Sequence, residues 1–276
     1  MLTNNKLLID KGCPMCQLYA KGFEKVRLID KDTVSYYQTS EAQVFEKIDA
    51  ERATSEVALV NMENGEVVYG EAAFTTILSQ NNKWLKTFFQ NALVAGMIRQ
   101  LYRFISLNRH VITGPRIIEG SRDCTPEING FYRWFYIIIV AMTTGLILNH
   151  FATSLFQELG WIHYGWREYA ICFGQIIWQG GLLSKMSRQK RLDYLGNMST
   201  VSLVGAFLLV PTIMLDQWID LSASFLIVNF LFVVGIMLFM HLRRTLKLNL
   251  PVAVTLSWML YRVIWLAVIL SIAFII

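Results

Sequence analysis

Leu7-Leu8-Ile9-Asp10-Lys11-Gly12-Cys13-Pro14-Met15-Cys16 sets two thiols three positions apart directly after a short apolar run. The run has the length of a strand, and Pro14 suits the first position of a helix, where a missing N–H costs no hydrogen bond. Cys13 then caps that helix, at the end where unpaired amides and the positive pole of the dipole favour a thiolate. Cys16 lies one turn further in, close enough to close a disulfide. The expectation is a strand that feeds a redox-capable helix N-terminus.

The same spacing serves zinc, so context has to decide. A structural zinc needs two more soft or imidazole ligands. The other cysteines, Cys124 and Cys172, stand far downstream, and the four histidines at 110, 150, 163 and 241 form no H-x₃-H pair. No metal site is expected.

Composition divides the chain. A hydrophobic share of 54% against 16% charged residues, with mean hydropathy +0.42, is too apolar for an ordinary soluble domain, and the excess falls after residue 130. Five stretches there approach the roughly 20 residues of a spanning helix: 132–154, 168–186, 197–216, 223–242 and 253–275. The second is the weakest, because it holds Gln175, Gln179 and Gly180-Gly181.

Residues 1–30 contain no apolar core of the roughly 7–15 residues that a secretory signal needs, so the N-terminal domain is expected to stay in the cytosol. Loop charges agree, since Lys and Arg concentrate on the cytoplasmic side. Arg103, Arg109, Arg116, Arg122 and Arg133 precede the first span; Lys185, Arg188, Lys190 and Arg191 follow the second; Arg243, Arg244 and Lys247 follow the fourth. This alternation predicts a multi-pass protein of a bacterial inner membrane, with its N-terminus inside and its C-terminus outside. The net charge of +5 then reflects topology, and no nucleic-acid partner is needed to explain it.

Before the membrane half, the pattern reads strand 6–10, helix 14–25, strand 33–38, helix 41–48, strands 56–61 and 66–69, helix 71–80 and helical segments 84–90 and 92–108. Val57-Ala58-Leu59-Val60, Glu63-Asn64-Gly65-Glu66 and Val67-Val68-Tyr69 form a hairpin signal. The order βαβαββα with C-x-x-C after the first strand is that of a thioredoxin-like domain. The fold class is therefore an α/β thioredoxin-like domain over 1–112, a linker over 113–130 and an all-α five-helix transmembrane domain over 131–276.

Leu8 to Cys16 resembles the opening of the DCC family of thiol-disulfide oxidoreductases, named for its Asp-x-x-Cys-x-x-Cys signature. Val68-Tyr69-Gly70-Glu71-Ala72-Ala73 is similar to the family's Gly-x-x-Ala turn into a helix. Leu101-Tyr102-Arg103-Phe104-Ile105-Ser106-Leu107-Asn108-Arg109 is similar to its late Tyr-Arg and Asn-Arg helix. The resemblance covers residues 5–112 and implies a thioredoxin-like fold with Cys13 and Cys16 as the redox pair.

On this reading Cys13 is the nucleophile and Cys16 the resolving thiol. Asp10 either moves protons and tunes the thiol or caps the turn. The partners are the lipid bilayer and a disulfide-bearing protein or low-molecular-weight thiol. No cofactor beyond the dithiol is expected, and the Cys-Pro-x-Cys form makes glutathione a conceivable reductant. One departure stands out. Thioredoxins place a cis-proline before the third strand to receive the substrate backbone, and here that stretch is Ala53-Thr54-Ser55-Glu56.

Other residues are expected to be structural. Arg103, Asn108 and Arg109 fasten the late helix or meet lipid phosphates. His150, His163 and His241 sit near span ends, and Gln175, Gln179 and Asn229 bond between helices. Arg262 reads foremost as a bundle-facing or snorkelling anchor between Trp258 and Trp265, the alternative being a partner for an anionic head group, quinone or substrate. The stripe Trp84, Leu85, Phe88, Phe89, Leu93, Met97, Ile98, Leu101 and Ile105 has helical spacing and suits a core or membrane-facing surface. With only Cys172 in the membrane half, a thiol relay across the bilayer has no path. The alternative is a non-catalytic membrane protein that handles lipid, quinone or solute, with the N-domain as regulator or scaffold.

Overall fold

The computed structural model describes residues 4–114, 124 and 128–275, with side chains to residue 273. Most of the expected linker, with Pro115, Arg116, Arg122 and Pro126, lies outside the described residues. Contacts divide the chain into Met1–Tyr132 and Arg133–Ile276.

The first unit is built on β1 (Asn5–Ile9), β2 (Val34–Tyr36), β3 (Ala58–Asn61) and β4 (Val67–Tyr69), in the order β2-β1-β3-β4. Strand β1 runs parallel to β2, with Leu8 beside Ser35, and antiparallel to β3, with Leu8 beside Ala58. Strands β3 and β4 form the expected hairpin, Val60 facing Val67. As the central strand is covered on both faces, its last three residues are all apolar and buried. Leu7 and Ile9 pack with Cys13, Cys16, Ala20 and Ile77 on one face. Leu8 packs with Tyr37, Val44, Ala58 and Val60 on the other.

Helix α1 (Pro14–Lys25) begins where Pro14 requires. The expected helix 41–48 contracts to α2 (Ala42–Phe45). A short helix absent from the pattern follows: α3 (Ala50–Ser55) is nucleated by Asp49, whose carboxylate accepts the Arg52 N–H at 3.0 Å. Next come α4 (Glu71–Ser79), α5 (Lys83–Gln90) and α6 (Ala92–Thr113). Helix α6 runs past the expected end at 108. Its first half leaves Leu93 and Met97 largely exposed, as is Trp84 on α5, so that part of the stripe faces outward.

The second unit comprises α7 (Gly130–Leu159), α8 (Arg167–Leu182), α9 (Arg188–Ile219), α10 (Ala223–Lys247) and α11 (Val252–Ile275). Among the described residues four helices, α7, α9, α10 and α11, are long and apolar enough to cross a membrane. The expected second span does not qualify: α8 has 16 residues, about 24 Å at 1.5 Å per residue, against a hydrocarbon core of about 30 Å. Its inward face carries Gln175 and Gln179, which lower its hydropathy.

Helix α8 nevertheless returns the chain through the bundle. Arg133 at the start of α7 is paired with Asp193 near the start of α9 at 3.1 Å, so both helices begin at one end. Arg244 near the end of α10 donates to Asn197 of α9 at 3.0 Å and marks the same end. Along α11 and α8, Trp178 donates to Ser257 at 2.9 Å and Tyr261 donates to the Ile171 carbonyl at 3.2 Å, which sets these two helices antiparallel. Gly174 permits this approach, since a Cβ there would stand 2.2 Å from the Tyr261 hydroxyl.

His241 corrects the expectation for span-end histidines. It is fully buried, its ring nitrogens meet Tyr194 and Thr255 at 3.0 Å each, and its ring stacks on Trp258 at 4.8 Å. Asn229 bonds between helices as expected, to Thr212 at 3.1 Å. Gln175 and Gln179 do not: both amides are buried without a hydrogen-bond partner.

Candidate active site

The turn from β1 to α1 is tied down by Asp10. Its carbonyl accepts the Cys13 N–H at 3.0 Å, and its Oδ1 accepts the Gly12 N–H at 2.8 Å and the Gln38 amide at 2.7 Å. Gln38 in turn accepts the Lys11 N–H at 3.0 Å. This holds Cys13 at the N-cap with extended backbone, φ −94° and ψ 109°. Both thiols are reduced and buried, Cys13 with 2% of its surface exposed and Cys16 with 4%.

The two thiols split in chemistry. Cys13 is pulled down to about 6, foremost because the Cys16 S–H donates to its sulfur. Burial opposes this, the Cys16 N–H and the Arg109 charge add to it, and the Asp10 charge works against it. Cys16 is pushed up strongly, because it is the donor to that thiolate and because it is buried. One sulfur is poised as a nucleophile at neutral pH and the other stays protonated beside it.

Helix α6 supplies the rest of the site from about ninety residues downstream. Arg109 is buried, 3.7 Å from Asp10 Oδ2, and donates to the carbonyls of Thr54 at 2.6 Å and Cys124 at 2.8 Å. Ser106 donates to the Ser55 carbonyl, and Tyr102 Oη accepts the Val57 N–H at 3.0 Å. Burial pushes the Tyr102 phenol up to a strongly raised value. These three side chains therefore occupy backbone groups of 54–57, the stretch that leads into β3. Gly70, at φ +65°, lets α4 start against this cluster, because a Cβ would meet Glu56 Oε2 and Tyr102 Cε1 at 3.2 Å each.

A cavity of ≈ 50 Å³ is left among Cys13, Cys16, Tyr19, Phe74, Tyr102 and Arg109. Of the residues singled out in the sequence, Asp10, Cys13, Cys16 and Arg109 come together here, while Arg103 is exposed. Asn108 is buried and donates to the Phe104 carbonyl at 2.9 Å and to the Tyr132 carbonyl at 3.2 Å, so it ties α6 to the chain that follows rather than entering the cavity. Gln38 and Tyr102's hydroxyl were not identifiable by spacing. Cys124 lies beside Arg109, its sulfur 3.6 Å from Nη2. No cluster of three potential metal ligands occurs among the described residues.

Residues 7–115 match the family model of DCC1-like thiol-disulfide oxidoreductases. Over that range the first unit is similar to DCC1-like thiol-disulfide oxidoreductases, and the match ends before the helical unit. No curated protein and no solved structure matches the chain.

Proposed function

We propose that the DCC1-like unit performs thiol-disulfide exchange while the apolar helices hold it at a membrane, with the dithiol on the cytosolic side. The Cys13 thiolate attacks one sulfur of a substrate disulfide; the S–S bond breaks, the other sulfur leaves as thiolate, and a mixed disulfide remains on Cys13. Cys16 then gives up its proton and attacks Cys13, which releases the second substrate thiol and leaves Cys13–Cys16 oxidised. A low-molecular-weight thiol such as glutathione resets the pair by the reverse exchange. The observation that carries this reading is the split between a thiolate at Cys13 and a retained proton at Cys16.

Asp10 serves this chemistry through the turn, since both of its oxygens are engaged by Gly12, Gln38 and Arg109. The cytosolic assignment rests on the basic residues gathered at one end of the helical unit, Arg133 and Arg244 among them. Substrates are protein disulfides or small mixed disulfides.

The burial of both sulfurs and the occupied backbone at 54–57 favour a second reading, in which the dithiol senses redox state and the helical unit carries the main activity. One experiment separates the two. Full-length protein in detergent, reduced with dithiothreitol, is offered a fluorescent glutathione mixed disulfide. Turnover that Cys13→Ser abolishes, and a trapped adduct in Cys16→Ala, support exchange. Oxidation of the pair without turnover above the small-thiol background would favour the sensor.

A further inference from the structure

Five helices meet around a cavity of ≈ 40 Å³ at mid-depth of the second unit. Arg262 lines it ten residues into α11, about 15 Å along the axis. Its guanidinium lies 4.3 Å over the Trp258 ring, and its one side-chain hydrogen bond is long, 3.4 Å to Ser202; Nε is buried with no partner. The same cavity is lined by Gln175, with neither amide atom bonded, and by Thr144, with an unbonded hydroxyl. Both are at most 3% exposed.

Two physical costs stand uncompensated. A cation in the hydrocarbon zone requires a counter-charge or a route to water. The unit's carboxylates are engaged or distant: Asp193 pairs with Arg133, Glu168 with Arg167, and Asp216 accepts the Leu221 N–H, while Glu158 and Asp220 are exposed. Buried amide and hydroxyl groups also cost free energy when left unpaired, because they have given up water without a replacement partner. A ligand that brings one negative charge and several acceptor lone pairs settles both.

We infer that this cavity binds a carboxylate, held by Arg262 with Gln175 and Thr144 as further donors. The planar guanidinium presents paired N–H groups that match the two oxygens of a carboxylate, and a single cation suits a single charge. The free volume is that of about one to two waters, the scale of a small anionic head group. Apart from Cys172, Ser199 and Ser202, the rest of the lining is apolar, Leu209 and Phe230 included. The carboxylate can come from a short acid or from the head of a fatty acid whose chain leaves between helices. The inference does not depend on thiol exchange.

The test uses delipidated full-length protein in non-ionic detergent, with thermal unfolding and Trp fluorescence as readouts, Trp258 lying against the site. Probes are acetate, palmitate, hexadecanol and chloride. Saturable stabilisation by acetate or palmitate, absent with hexadecanol, is expected; palmitate acting at far lower concentration than acetate identifies the fatty acid, and equal potency the short acid. Arg262→Gln should weaken binding about tenfold or more, the worth of a charged hydrogen bond. Gln175→Leu gives the same reading through a neutral change if Arg262→Gln fails to fold. Cys13→Ser should bind as wild type, which keeps this result separate from the exchange assay. No saturable shift with either acid, an equal shift in Arg262→Gln and Gln175→Leu, or chloride matching acetate would overturn the carboxylate.

Discussion

Cys13 owes its reactivity to one neighbour above all, the Cys16 S–H, with Arg109 as a supporting charge. Titration of the thiolate absorbance at 240 nm should therefore show a midpoint near 6, and Cys16→Ala should move it up towards the free-cysteine value of about 8.5. An unchanged midpoint in Cys16→Ala would show that the helix terminus does the work instead. The sign for stability follows: a folded value below the unfolded one favours the native state above about 8.5, and that contribution is lost as pH falls through about 6. Arg109→Met should also raise the midpoint. It should cost about 3–5 kcal/mol in urea unfolding, because Asp10 is left buried without its cation. The thiols and Asp10 were legible in the sequence because they share one turn. Gln38 and the hydroxyl of Tyr102 were not, because they arrive from other elements and no local spacing marks them; of the two readings of Arg109, fastening the late helix holds, through the Thr54 and Cys124 carbonyls, and facing lipid fails on its burial.

Among the elements, α6 does most to shape the site, since it closes over 54–57 with Tyr102, Ser106 and Arg109. Gly70 is where that closure is tightest. Gly70→Ala should cost about 1–3 kcal/mol, the range for a non-glycine residue in such a conformation, and should loosen α6; hydrogen exchange at Val57 N–H, which Tyr102 covers, would rise. A wild-type exchange rate at Val57 in the variant would refute the coupling. Strands β1, β3 and β4 and helices α1 and α4 followed from apolar period and turn residues. Helix α3 was missed because its six residues include only the small apolar Ala50 and Ala53 and carry no clear period, although Asp49 three before Arg52 is a cap signal. Helix α8 was overestimated as a span because its apolar count hid a polar face turned into the bundle.

For the whole molecule, the pairs Arg133–Asp193 and Arg244–Asn197 fix which helix ends lie together. With Cys172→Ser as background, single cysteines at Lys190 and Lys247 should be protected from an impermeant maleimide in intact cells, and one at Asp220 should react. Labelling at Lys190 together with protection at Asp220 would invert the orientation. The division into a thioredoxin-like unit and apolar helices was plain from composition, whereas depth and pairing within the bundle depend on side chains such as His241 and Arg262 that hydropathy averages away. The site's order of assembly has a further consequence during synthesis. Cys13 leaves the ribosome 96 residues ahead of Arg109 (109 − 13), about 5–20 s at ordinary elongation rates. Through that interval the nascent thiols have neither their guanidinium nor the α6 cover, so they are open to oxidation. Arrested chains ending before Arg109 should alkylate at Cys13 faster than chains that extend well past it.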